Sequence, residues 1–159
     1  MLETLQNSMP LQHFRDGVQD IASQIKDMDE ALTEDAEIEK VNPLEHTFAD
    51  GMYIRKIVMP AGQLIISKIH KQQHPFFILS GDVSVMTENG VVRYNKPFNG
   101  ITEAGTQRIL YTHAETTWIT VQRTDETDVE KIVNTLTAKD FNDPDLSTET
   151  INELLGGNQ

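Results

Sequence analysis

The sequence predicts a mainly β domain, a small antiparallel sandwich or barrel, with helical segments before and after it. Three observations predict it. Short runs rich in Val, Ile, Tyr, Phe, Thr and Trp follow one another from Met52 to Gln122, separated by turn residues. Asn89-Gly90 lies between two such runs, DVSVMT and VVRYN, and both residues tolerate the positive φ of a two-residue hairpin turn. Outside this region the apolar residues recur at helical spacings instead.

The elements follow in order. Leu11, Phe14, Val18, Ile21, Ile25, Met28 and Leu32 alternate spacings of three and four, a heptad seam on one helix. Such a face lies either on its own barrel or against a second subunit, and the second case gives a homo-oligomer. Gly17 weakens the helix by about 1 kcal/mol relative to Ala, so the helix needs a partner surface. Pro10 suits its first turn. The stretch TEDAEIEKVN, residues 33–42, reads as a solvated acidic linker.

Strand-like runs then cover Met52–Met59, Gln63–His70, Phe76–Ser80, Asp82–Thr87, Val91–Asn95, Thr106–Thr112 and Thr117–Gln122. Their boundaries are Asp50-Gly51, Pro60-Ala61-Gly62, Ser80-Gly81, Asn89-Gly90 and Ala104-Gly105. Val129, Ile132, Val133 and Leu136 form the apolar face of a helix, with Asp125, Glu126 and Asp128 at its favourable N-terminal end. Phe141 to Leu146 reads as a loop, and Ile151, Leu154 and Leu155 as a second short helix closed by Gly156-Gly157. The division is therefore residues 1–42 for helix and linker, 43–122 for the barrel and 123–159 for a helical extension.

Composition excludes several functions. A formal net charge of −12, without a Lys or Arg cluster, argues against a nucleic acid polymer or an anionic membrane as partner. The apolar runs are too short for a membrane-spanning helix, and MLETLQNSMP lacks the pattern of a signal peptide. With no cysteine there is no disulfide framework, thiolate metal site or cysteine nucleophile. A cytoplasmic protein is the expectation.

One spacing carries chemistry. Gly62 is followed by five residues, Lys68, one residue, His70, three residues, His74, six residues and Gly81. Further on, Pro97, Glu103, Gly105, Arg108 and Thr112 keep a second fixed spacing. Side chains two apart on a strand share a face, so Lys68 and His70 point together, and Arg108 points with Leu110 and Thr112 while Tyr111 and His113 face away.

This frame resembles the two motifs of the cupin superfamily, whose fold is a double-stranded β-barrel, or jelly roll, with its site inside. The wording of the core also resembles small cupin-like proteins encoded by bacteriophages, which implies a host cytoplasm or a virion as location. The resemblance implies a metal held by three His and one Glu. Here Lys68 stands at the first His, His74 at the Glu and Arg108 at the last His, and His70 alone is kept.

Two readings follow for the interior. His70 and His74 could hold a divalent transition metal only with further ligands, and two neighbouring cations oppose it. The better reading needs no cofactor: Lys68, His70, His74 and Arg108 form a basic pocket for a small anionic metabolite or nucleotide, which the protein sequesters. A cupin enzyme (an isomerase, lyase or oxygenase) and a phage assembly protein using the barrel as scaffold are the alternatives.

Overall fold

The computed structural model describes residues 40–87, 90–140 and 143–146, together with Asp16, Asp20, Ile21, Ala31, Leu32 and Ile38. In chain order the elements are β1 (Ala31–Leu32), β2 (Leu44–Ala49), β3 (Met52–Met59), β4 (Leu64–His70) and β5 (His74–Thr87). Next come β6 (Gly90–Tyr94), β7 (Phe98–Thr102), β8 (Thr106–Arg123), helix α1 (Val129–Leu136), β9 (Thr137–Ala138) and a short 3-10 turn, Pro144–Leu146.

The strands form one curled sheet, antiparallel apart from the β1–β4 bridge. Its spine is β8, whose first part pairs with β4, whose last part pairs with β3, and whose middle lies along β5. Hairpin partners extend it at both sides: β2 beside β3, and β6 and β7 beside β5. A strand of 18 residues that pairs with β4 at one end, β3 at the other and β5 between them coils to do so, and the sheet closes around an interior.

Strict alternation fills that interior. On β3 the inward set is Tyr53, Arg55, Ile57 and Met59. The apolar part of the core joins Ile57, Met59, Ile65, Phe76, Ile78, Val83, Val85, Leu110 and Trp118. Burying each large member stabilises the fold by about 1.5–3 kcal/mol relative to leaving it exposed.

Several sequence expectations change. The runs Phe76–Ser80 and Asp82–Thr87 are one strand, β5, as are Thr106–Thr112 and Thr117–Gln122 in β8. Gly81 bends β5 without ending it: its φ is +120°, and a Cβ there would come within 2.5 Å of the Thr116 backbone. The strands β2 and β7 were not expected. Ile38 and Asn42, in the supposedly solvated linker, are buried, and Ile38 joins the core. Leu32 lies in β1 beside Ile65 rather than on a helix. Ile21 is helical and 36% exposed. The other seam positions, Leu11, Phe14, Val18, Ile25 and Met28, and the second C-terminal helix, lie outside the described residues.

After β8 the chain turns back to cover one end of the barrel. Asp128 caps α1, its side chain accepting from Lys131 N at 3.1 Å, and Glu126 accepts from the backbone N–H groups of Thr127 and Asp128. The strand β9 then pairs with the end of β4 at Ile69 and His70. Ala138 and Leu146 bury against Ile69, and Lys71 bonds Asp143 and Asp145. Among the described residues no helix is long and apolar enough to cross a membrane.

Candidate functional site

The barrel interior opens into a cavity of about 130 Å³. Its floor and sides are the inward residues of β3, β4, β5 and β8, and its cover is the apolar face of α1. All four residues singled out in the sequence, Lys68, His70, His74 and Arg108, line it.

Two of them arrive there through a bulge. Ile66 pairs with Ile109 and Ile69 with Gln107, so Ser67 and Lys68 together oppose Arg108. The bulge is held by polar contacts of its own. Ser67 Oγ accepts from Arg108 N at 2.9 Å and donates to Lys68 O at 2.8 Å, while Gln107 Nε2 donates to Ser67 O at 3.0 Å. It resets the alternation of β4, so that Ile65 below it and His70 above it both line the cavity while Ile66 and Ile69 pack elsewhere.

Arg108 is fixed on two sides. One guanidinium nitrogen donates to Thr102 Oγ1 at 3.2 Å, and the group lies 5.3 Å over the Phe76 ring. Phe76 in turn stacks on Trp118, with centroids 4.8 Å apart and planes 14° apart. The guanidinium is therefore placed before any ligand arrives.

The two imidazoles meet edge to face at 4.7 Å. Burial is the main force on His70; together with His74, Arg108 and Arg55 it pushes the imidazole down to about 3. His74 is 2% exposed, and burial first, then Arg108, hold it below its ordinary range against the opposing bond to Gln72 O. Both rings are uncharged at neutral pH.

Sequence reasoning missed part of the wall. Arg55 faces the same interior from β3, and its position between Tyr53 and Ile57 was the signal that could have placed it. His46 is exposed on β2 but reaches the cavity rim, where its Nδ1 lies 2.8 Å from the Tyr53 hydroxyl. Gln122, at 6% exposure, also lines the wall. Asp82 and Glu103 are turned outward: Asp82 is held by Arg93 and Glu103 by Gln73.

The metal that the motif resemblance implies does not fit these residues. Among the described residues no group of three or more His, Cys, Asp or Glu side chains converges, and the cavity wall contributes no carboxylate. Arg108 stands close enough to both imidazoles to oppose their protonation, and it opposes a divalent cation in the same way.

No family model matches the chain. No curated protein matches it either. Solved structures do resemble it. The cupin_2 domain of an XRE family transcriptional regulator from Enterobacter cloacae aligns with a TM-score of 0.46 at 10% identity, over 54% of this chain and 99% of that one. The cupin domain of Cnp3 from Schizosaccharomyces pombe gives 0.45 at 17% identity, over 60% and 72%. A cupin superfamily protein from Desulfitobacterium hafniense gives 0.45 at 9%, over 53% and 78%.

Proposed function

We propose that this chain is a cupin-type binding protein whose barrel interior takes a small anionic ligand. One observation carries the reading. In a chain of net charge −12, the cavity wall presents Arg55, Lys68 and Arg108 and no carboxylate among the described residues. A local field opposite to the global one selects an anion inside while the outer surface repels it from unspecific sites. Arg108 offers a planar fork and Lys68 a point charge, and the low dielectric of the enclosed space strengthens both.

Size narrows the ligand. About 130 Å³ is close to the volume of a cavity that holds benzene, so the occupant has about six or seven non-hydrogen atoms. A short-chain carboxylate or a phosphate fits that space and a nucleotide exceeds it. The cover, Val129, Ile132, Val133 and Leu136, excludes water from the bound anion.

The test is ligand-induced thermal stabilisation of the full chain with butyrate, 3-hydroxybutyrate and inorganic phosphate as probes. A ligand at a hundred times its Kd should add about 2.7 kcal/mol. Arg108→Leu and Lys68→Ala should each weaken the response by tenfold or more in concentration, and added salt should weaken it in the wild type. A wild-type protein that responds to none of the three, or variants that respond as the wild type does, would remove the anion site.

A further inference from the structure

The cavity holds a feature that cations alone do not explain. His74 Nδ1 lies 2.9 Å from the backbone oxygen of Gln72. A carbonyl oxygen can only accept, so Nδ1 carries the hydrogen. In the uncharged ring the other nitrogen, Nε2, is then a bare lone pair. It is buried, it belongs to a side chain 2% exposed on the cavity wall, and it has no hydrogen-bond partner among the described residues. A buried acceptor of this kind is costly until a donor reaches it.

The chemistry of that donor is restricted by its neighbours. An ammonium group would supply hydrogens, but Arg55, Lys68 and Arg108 line the same space and repel it. A simple carboxylate satisfies the cations and has no hydrogen to give; hydrogen phosphate has one but brings no carbon skeleton. A hydroxyl on the ligand has one, and it carries no charge. Part of the wall is apolar: Ile57, Leu110 and Trp118 on the strands and Ile132 on the covering helix line it. A fully hydrated oxyanion leaves that surface without a counterpart, whereas a short carbon skeleton covers it.

On the reading that the cavity binds a small anion, we infer that its ligand is a small hydroxycarboxylate, whose carboxylate meets Arg108 and whose hydroxyl donates to Nε2 of His74. The carbon chain between the two groups lies against the apolar wall. His74 is then the residue that selects among carboxylates of equal charge and size, because a site built around a hydrogen bond rejects the analogue lacking it.

The experiment is calorimetric titration of the full chain with 2-hydroxybutyrate, 3-hydroxybutyrate and butyrate. At least one hydroxylated acid should bind about tenfold more tightly than butyrate, the value of one good hydrogen bond. His74→Phe should erase that preference and leave butyrate within about threefold of its wild-type affinity, and His74→Gln, which keeps an acceptor, should restore part of it. Should His74→Phe fail to fold, nitrogen-15 spectra of the wild-type imidazoles decide. They should show the Nδ1-protonated form of His74 before addition, and an Nε2 signal that moves with the hydroxylated acid and not with butyrate. Equal wild-type affinities for the three acids, or an unmoved Nε2 signal, would overturn the inference and leave the anion site standing. Binding of neither these acids nor phosphate would instead overturn the anion site itself.

Discussion

On the outer face of the barrel, cations sit against carboxylates. Lys56 is 3.1 Å from Glu45, Arg93 is 2.7 Å from Asp82, and Lys71 lies 3.2 Å from Asp143 and 2.9 Å from Asp145. One residue away from Lys56 on the same strand, Arg55 faces a wall that contributes no carboxylate, and Arg108 faces it from β8. The alternation of side chains along a strand is what allows an acidic protein to hold a basic interior only one sheet thick. The two faces also differ in the worth of a charge. Outside, water and salt screen each pair to little net effect, while inside the same charge acts through a poorly screening medium.

Phe76 joins the inner electrostatics to the core, and its removal is expected to have the largest effect. The ring is 3% exposed, carries Arg108 on one face and meets Trp118 in a stack. Phe76→Ala should cost about 3–5 kcal/mol in denaturant unfolding. It should also loosen the guanidinium, so the stabilisation by 3-hydroxybutyrate should shrink in the folded fraction. A variant that loses stability but keeps the full ligand response would separate core from site and break the link drawn here.

How far the sequence revealed this comparison depends on the element. The bounds of Met52–Met59 match the strand observed, because its β-branched residues lie between clear turn signals. Ser80-Gly81 misled, since a glycine that bends a continuous strand and one that ends it look alike in sequence. The strand Phe98–Thr102, FNGIT, contains Asn and Gly and takes its form from pairing with β5, which no local signal records. At the site, the glycine spacing located Lys68, His70, His74 and Arg108, but not the bulge at Ser67 and Lys68 that brings them together. Arg55 was legible from the alternation of β3 and lies outside the motif frame. The cover by α1 rests on tertiary contacts alone: the periodicity shows an apolar face and not what it faces.

A second, smaller effect distinguishes the two faces by pH. The folded-state value for His70 is about 3 and the ordinary value is 6.5. Between these limits the unfolded chain binds more protons than the folded one, so this stability is full above about 6.5 and falls as the pH drops toward 3. The slope is about 1.4 kcal/mol per pH unit, or about 2 kcal/mol between pH 6.5 and 5. His74, shifted in the same direction, adds to it. The outer carboxylates Asp82, Glu126 and Asp143 are all held below their ordinary range by hydrogen-bonded partners, and their contribution is lost only as the pH falls below about 4. Urea midpoints at pH 7, 6 and 5 should therefore fall in the wild type and fall less steeply in His70→Leu. Parallel curves for the two proteins would place the inner imidazoles in contact with solvent protons.

The smallest expected effect is on the outer face, and its smallness is the point. Arg93 reaches Asp82 by two hydrogen bonds of 2.8 and 2.7 Å, a well-formed ion pair on the barrel surface. The arginine side chain is 56% exposed, so water competes for both partners and ordering two side chains offsets the attraction. Arg93→Ala should leave the urea midpoint within experimental error and the response to carboxylates unchanged. Arg108→Leu removes one cation from the same sheet and should abolish most of that response. Equal responses of the two variants would mean that the protein reads its total charge and not the charge lining its interior. That outcome would dissolve the distinction between the faces, because a net charge of −12 is altered to the same degree by either substitution.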